Sequence, residues 1–180
     1  MINTEQSTQH RVAAFWGVIG VMAIVLYAIV RLVPYVIGAL AVDLDALQWL
    51  ALALNVGLMA WLEGYRGFQL KFAPRVAARA LYLTRNPVSR ETQWLAPLFC
   101  IGYFAANRRT RIFAWTGTVG IVILILLVHR LEQPWRGIID AGVVVGLSWG
   151  LVSLLVKVVA TFGAGQFLIS PEVPDRYNGS

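Results

Sequence analysis

The sequence predicts an all-α integral membrane protein: a helical bundle of four transmembrane helices with an amphipathic or interfacial segment on the cytoplasmic side. Three observations support this prediction. Of the 180 residues, 58% are hydrophobic and only 13% are charged, whereas soluble globular proteins contain about 25% charged residues. The apolar residues occur in runs long enough to cross a hydrocarbon core. Nine of the fifteen basic residues lie between the second and third of these runs.

The four spans follow from apolar runs bounded by polar or turn-forming residues. The first run, Val12 to Val30, contains nineteen residues, which corresponds to about 28 Å of helix. Arg31 and Pro34 then interrupt the pattern, so the first span is predicted at 12–33. The remaining spans are predicted at residues 46–62, 112–128 and 138–162.

A basic loop, residues 63–111, connects the second and third spans and contains two further elements. Residues 74–86 are predicted to form an amphipathic helix, because a helical wheel puts Arg75, Arg79, Tyr82 and Asn86 on one side and apolar residues on the other. Pro74 suits a first helical position and Asn86-Pro87 suits a stop. Residues 95–107 are apolar but only thirteen residues long, about 20 Å of helix. We therefore predict an interfacial or re-entrant segment there. A fifth span is the alternative.

The basic loop is also the predicted binding surface for anionic lipid headgroups or for a partner protein. Basic residues close to a membrane surface attract anionic lipids by about 1 kcal/mol each. Nucleic acid is not expected as a partner despite the net charge of +6, because the basic residues lie beside apolar spans. The predicted binding residues are Arg66, Lys71, Arg75, Arg79, Arg85, Arg108, Arg109 and Arg111.

The charge distribution predicts the orientation. Lys and Arg are enriched in cytoplasmic loops, so we place the basic loop in the cytoplasm and the protein in a bacterial-type inner membrane as a multi-pass protein. Two spans on either side of the loop then place the polar tails, 1–11 and 163–180, in the cytoplasm on either side of a single membrane domain at 12–162. A fifth span at 95–107 would move Arg108, Arg109 and Arg111 to the outer side, which the same rule disfavours.

Three glycines at four-residue spacing, Gly142, Gly146 and Gly150, form one stripe along the fourth span. Small residues let two helix backbones approach closely, which favours helix association in lipid. We predict that this glycine stripe packs against the first or third span of the same chain. The alternative is a face for self-association into a homo-oligomer.

Asn55 lies near the middle of the second span, where an unpaired amide is costly. Ser148 lies at a comparable depth in the fourth span. A hydrogen bond between Asn55 and Ser148 is therefore predicted, with Thr116 or Thr118 as competing partners. For Asn55 a packing role is preferred over a substrate-binding role.

No set of residues predicts catalysis. The segment Gly146-Leu147-Ser148-Trp149-Gly150 matches the Gly-x-Ser-x-Gly pattern of serine hydrolases. A continuous helix is not the strand-turn-helix that such a nucleophile requires, however, and no histidine follows Ser148. With one cysteine and two histidines in the chain, neither a metal site nor another cofactor is expected.

The sequence therefore favours a non-catalytic membrane subunit, scaffold or accessory factor that binds anionic lipid or a partner protein through its basic loop. A small oligomeric transporter or channel, assembled through the glycine stripe, is the second hypothesis. The third is a membrane-interface enzyme of lipid metabolism that uses Glu63, Arg66 and the loop arginines.

Overall fold

The computed structural model describes residues 4–174, with side chains from Thr8 onward, and the described chain is helical apart from its turns and residues 165–174. Four helical stretches are long and apolar enough to cross a membrane, which confirms the prediction of a helical membrane protein: Thr8–Leu40, Ala46–Arg85, Arg108–Val128 and Trp135–Ala164. The helices are α1 (Thr4–Leu40), α2 (Ala46–Met59), a π-helical segment (Ala60–Phe72), α3 (Ala73–Arg85), α4 (Arg90–Trp94), α5 (Ala96–Ile101), α6 (Arg108–Val128) and α7 (Trp135–Ala164).

The helices extend further than the predicted spans. α1 continues through Pro34 as far as Leu40. The largest difference concerns residues 63–72, which the sequence predicts as loop and which are helical in the structure. The π-helical segment, whose backbone bonds join residues five apart, connects α2 to α3 without a break. Pro74 lies in the first turn of α3, just after the π-helical segment ends, and its missing N–H removes one backbone hydrogen bond from this otherwise continuous helix.

The two ends of this long helical stretch have local causes. At its start, Asp45 and Gln48 form a capping box: the Asp45 carboxylate accepts from the backbone N–H of Gln48 at 2.7 Å, and the Gln48 side chain accepts from the Asp45 N–H at 3.0 Å. At its end, Asn86 is extended, with φ −120° and ψ 140°. A following proline disfavours the helical conformation at this position, and residue 87 is proline.

The apolar segment predicted at 95–107 folds into α5 and the turns that follow it. With six residues, α5 is about 9 Å long, so it is not a fifth span. Gly102 ends the helix at φ +101°, a left-handed conformation that glycine adopts without steric cost. Phe99 and Cys100 are buried in the hydrophobic core.

The chain divides into two compact units. Unit 1 contains the residues up to 23, residues 72–117 and those from 154 onward. Its core brings α1, α3, α5 and the end of α7 together through Val21, Leu83, Phe99 and Leu154, among other buried side chains. Almost all of α3 is buried in this unit. A helix is therefore present where the amphipathic helix is predicted, and Arg79 on its polar face is enclosed together with its apolar residues.

Unit 2 contains residues 24–71 and 118–153. Within it, the first part of α7 packs against the last turns of α1. Gln133 donates a hydrogen bond to the carbonyl of Tyr35 at 3.1 Å. A Cβ atom at Gly137 would lie 2.4 Å from the Cβ of Ala39, so this glycine permits the close approach of the two helices.

Candidate functional site

In unit 1, α1 and α4 border a groove of about 940 Å³. α1 provides polar residues near its start and apolar residues beyond them, whereas α4 provides a cation, an amide and an aromatic ring. We call this surface the Trp16–Trp94 groove. Its lining residues are Thr8, Gln9, Val12, Ala13, Trp16, Arg90, Gln93 and Trp94.

Local hydrogen bonds hold α4 beside α1. Ser89 is the N-cap of α4, and its hydroxyl accepts a hydrogen bond from the backbone N–H of Thr92 at 3.3 Å. The indole nitrogen of Trp16 donates to the backbone carbonyl of Trp94 at 3.0 Å. The cap orients the short helix and the indole bond fixes it to α1, so that Arg90 and both tryptophans line one groove.

The groove combines aromatic rings, aliphatic side chains and hydrogen-bond donors. Trp94 is 79% exposed and Trp16 is 48% exposed, and indole rings at the ends of membrane spans favour the headgroup region. Arg90 is exposed, and among the described side chains no carboxylate lies within ion-pair distance of it. A free guanidinium is a strong hydrogen-bond donor to phosphate. The groove therefore offers phosphate-binding donors next to aromatic and aliphatic surface.

Arg79 lies inside unit 1, and this placement corrects its prediction as a surface residue. Its side chain is fully buried. Nε donates to the carbonyl of Phe99 at 2.6 Å and Nη1 to that of Pro171 at 3.0 Å. Nη2 donates to the carbonyls of Phe104 and Ala105 at 3.0 and 2.9 Å. The face of α3 that bears Arg79 meets backbone carbonyls here, so Arg79 stabilises the core and cannot reach a headgroup.

Two other predicted binding residues contact the segment that follows α7. Nε of Arg75 lies 3.4 Å from Oε2 of Glu172. Arg85 donates a hydrogen bond to the carbonyl of Gly165, and its guanidinium lies 5.1 Å from the centroid of the Phe167 ring. Both arginines therefore help to hold that segment against unit 1.

The five remaining predicted cations are exposed. Arg108, Arg109 and Arg111 lie in the first turn of α6 in unit 1, whereas Arg66 and Lys71 lie in the π-helical segment and belong to unit 2. Among the described side chains none of the five forms an ion pair. They are available to an anionic ligand, and lipid binding by them stays a prediction.

The glycine stripe is covered by the second span of the same chain, not by the first or third as predicted. Cβ atoms added at Gly142, Gly146 and Gly150 would lie 2.3 Å from Nδ2 of Asn55, 2.9 Å from Oε2 of Glu63 and 2.4 Å from Cγ of Phe68, respectively. Trp149 packs against the same helical stretch, since a Cβ atom added at Gly64 would lie 3.0 Å from the Cβ of Trp149. Because helix α2 and the π-helical segment occupy the stripe, it is not a free face for a second copy.

The predicted hydrogen bond between Asn55 and Ser148 is absent from the described contacts. Asn55 instead donates to the carbonyls of Ile138 and Ile139 at 2.8 and 3.2 Å. The reason is the register of the two helices: Asn55 faces Gly142, six residues before Ser148, or about 9 Å along the helix axis. Asn55 nevertheless makes the polar contact between spans that its position requires.

Glu63 and Arg66, the residues of the enzyme hypothesis, lie in different environments. The Glu63 carboxylate lies against Gly146, whereas Arg66 is exposed. Ser148 lies within the continuous helix α7. Among the described residues, no three His, Cys, Asp or Glu side chains come together to form a metal site.

Sequence reasoning missed Arg90, Gln93, Trp94 and Trp16 as parts of one site. The available signals were the capping residue Ser89 before a short polar helix, and two tryptophans next to apolar runs. Neither signal specifies that α4 folds back onto a helix 78 residues away.

The chain was compared with protein-family models, with curated proteins and with solved structures, and no match was found in any of the three comparisons.

Proposed function

We propose that the protein is a non-catalytic component of an inner membrane, and that it holds an anionic phospholipid in the Trp16–Trp94 groove on the cytoplasmic side. One observation carries the proposal: Arg90, a guanidinium that has no carboxylate partner among the described side chains, lines the same groove as two exposed indole rings. A phospholipid has matching parts, because its phosphate accepts hydrogen bonds from a guanidinium and its glycerol and upper acyl region packs on indole rings.

The charge of unit 1 supports an anionic ligand. Among its described side chains, Glu91 and Glu172 are the only acidic residues, and nine are basic. This excess attracts anionic lipids to the surface of the unit. The basic residues are Arg11, Arg75, Arg79, Arg85, Arg90, Arg108, Arg109, Arg111 and Lys157.

The first turn of α6 supports the orientation. Arg108, Arg109 and Arg111 directly precede the apolar part of a membrane-length helix. Cations at a helix N-terminus are disfavoured by the helix dipole, so these arginines do not serve the stability of α6. Headgroup phosphates are their natural partners at this depth, and the enrichment of such residues on the cytoplasmic side supports a cytoplasmic location for this turn.

Native mass spectrometry of the purified protein tests the proposal through the lipids that it retains. Arg90→Gln removes the guanidinium of the groove and keeps the size of the side chain. We expect retention of phosphatidylglycerol to fall about fivefold, since one basic residue contributes about 1 kcal/mol. Trp94→Ala is expected to weaken retention of both anionic and zwitterionic lipids, because it removes packing surface and no charge.

The matched control is Arg130→Gln, which removes the same charge from an exposed arginine that lies outside the groove and outside the predicted lipid-binding residues. It should leave retention nearly unchanged. Equal losses in the two variants would mean that lipids follow the net charge and not the groove. A partner protein that copurifies with the wild type and is lost with Arg90→Gln, without any change in lipid, would support the partner-binding alternative instead.

A further inference from the structure

Besides the two Arg85 contacts described above, three backbone and side-chain contacts hold the segment that follows α7 against the rest of unit 1. We call residues 165–174 the C-terminal strap. The carbonyl of Pro171 accepts a hydrogen bond from Nη1 of Arg79 at 3.0 Å. The carbonyl of Glu172 accepts one from the backbone N–H of Asn107 at 3.1 Å. The third contact is made by the Glu172 carboxylate.

The Glu172 carboxylate occupies a cradle formed by Arg75 on α3 and Thr110 on α6. Oε2 of Glu172 lies 3.4 Å from Nε of Arg75 and accepts a hydrogen bond from the hydroxyl of Thr110. Thr110 is buried, whereas the side chains of Arg75 and Glu172 are 21% and 33% exposed. The cradle is therefore lined by protein and open to a ligand from one side.

The carboxylate fills this cradle imperfectly. Among the described residues, the buried Nε of Arg75 forms no hydrogen bond, although the Glu172 carboxylate lies within ion-pair distance of it. The backbone of Glu172 has a φ of +53°, a left-handed conformation that is unfavourable for residues with a side chain. Glu172 thus adopts a strained backbone conformation that places its carboxylate in the cradle, and this carboxylate still leaves the buried Nε of Arg75 without a hydrogen bond.

We propose that the Arg75–Thr110 cradle is a binding site for a phosphate group, and that Glu172 is an internal competitor for it. A phosphate carries more acceptor oxygens than a carboxylate and arranges them tetrahedrally, so it can accept from Arg75 and Thr110 at once. This site shares no residue with the Trp16–Trp94 groove and goes beyond the function proposed above. Its ligand is either the phosphate of a lipid headgroup or a free phosphate.

The cation balance around the cradle favours such an exchange. Arg79 is the neighbouring cation in the core, and all of its described hydrogen bonds go to neutral backbone carbonyls. Its charge therefore adds to that of Arg75. A ligand with a full negative charge can replace the Glu172 carboxylate without leaving these two guanidinium groups uncompensated.

The test compares the full chain with Glu172→Gln, which removes the charge of the competitor and keeps its shape. Binding of inorganic phosphate is measured by calorimetry, and binding of phosphatidylglycerol by native mass spectrometry from nanodiscs. We expect Glu172→Gln to bind roughly tenfold more tightly, because an internal competitor that leaves the site free about a tenth of the time weakens apparent binding by that factor. Adding Arg75→Gln to this variant should abolish the gain. Glu132→Gln is the control, since it removes one exposed carboxylate from unit 2 and should change nothing.

The two ligands distinguish the source of the phosphate group. Tighter binding of both supports a general phosphate site, and tighter binding of phosphatidylglycerol alone supports a headgroup site. No gain for either ligand overturns the proposal. Glu172→Gln could release the strap altogether, so hydrogen exchange of the Asn107 amide is also measured on the wild type. Phosphate or phosphatidylglycerol should accelerate this exchange by displacing Glu172. Unchanged exchange at saturating concentrations of both ligands also overturns the proposal. Loss of lipid retention with Arg90→Gln bears only on the groove.

Discussion

Asn55 lies opposite Gly142: a Cβ atom at position 142 would be 2.3 Å from the Asn55 side-chain nitrogen, which donates to the carbonyls of Ile138 and Ile139. The amide reaches these carbonyls because the glycine has no side chain. Close helix packing and interhelical hydrogen bonding therefore depend on the same residue. In lipid such a hydrogen bond contributes about 1 kcal/mol.

Alanine substitutions along the glycine stripe are expected to destabilise the protein to different extents. In Gly150→Ala the new Cβ would lie 2.4 Å from Cγ of Phe68, and an aromatic ring cannot bend away, so the free energy of unfolding should fall by about 1–3 kcal/mol. Gly146→Ala should cost less, because the nearest atom is the terminal oxygen of Glu63 at 2.9 Å, which can rotate. Unfolding of the purified protein by denaturing detergent measures both.

Gly120→Ala in α6 is the control for this series. Apart from the adjacent residues and the backbone of α6 itself, no atom of the described residues lies within 4 Å of a Cβ at this position. Alanine also favours helix over glycine by about 1 kcal/mol, so the variant should be at least as stable as the wild type. Equal destabilisation at positions 120 and 150 would contradict the packing that we describe.

Replacing Arg79 is expected to unfold unit 1. Arg79→Met leaves the four carbonyls that accept from this side chain without their donor, and a buried group without its partner costs about 1–3 kcal/mol. Arg79→Lys keeps the charge but cannot reproduce the planar set of donors, so it should rescue only part of the loss. The measurement is thermal unfolding with Arg111→Lys, at an exposed position, as the control. A stable Arg79→Met protein would show that the four bonds contribute little.

The Cys100 thiol should resist alkylation until the protein unfolds. It is fully buried in α5, outside the four spans, and burial raises its pKa from 9.0 to about 12 despite the opposing charge of Arg79. Above pH 9.0 the unfolded chain loses this proton and the folded chain keeps it, so stability should decline as the pH rises toward 12. We expect Cys100→Ala to show a weaker decline between about pH 8 and about pH 10. Rapid alkylation of native protein would contradict the burial.

Labelling of introduced cysteines tests the orientation. In a Cys100→Ala background, Glu91→Cys on α4 and Glu132→Cys between α6 and α7 each supply one exposed thiol. An impermeant maleimide added to intact cells should label position 132 and not position 91, because the basic loop is predicted to be cytoplasmic. The reverse pattern would contradict the inside and outside assignment of both.

The spans could be predicted because apolar length alone specifies them, and α6 shows this well, since its predicted 112–128 lies within Arg108–Val128. Helix register could not be predicted. Depth in the membrane favours Ser148 as the partner of Asn55, but the register of the two helices determines which residues meet. The residues that contact Gly146 and Gly150, Glu63 and Phe68, are five apart because they lie in the π-helical segment. No sequence pattern predicts the π-helical segment.

The buried arginine shows a second limit of sequence reasoning. Arg75 and Arg79 lie one turn apart on α3, and a helical wheel gives both the same exposed role. Tertiary structure separates them, because the carbonyls that enclose Arg79 come from residues 99–105 and from Pro171. Every residue has a backbone carbonyl, so the sequence cannot reveal that α5, the turns after it and the C-terminal strap will together provide four of them at one point.

The partners of Arg79 also constrain the order in which the protein is made. Pro171 follows Arg79 by 92 residues, and both α6 and α7 lie between them. Chains fold from the N-terminal side during synthesis, so α3 leaves the ribosome long before its last hydrogen-bond acceptor. Unit 1 can close only after two later helices have been inserted. In a nascent chain paused before residue 171, the Arg79 guanidinium would stay hydrated or bound to lipid phosphate. Once translation is complete, the carbonyl of Pro171 would replace part of that hydration or the phosphate.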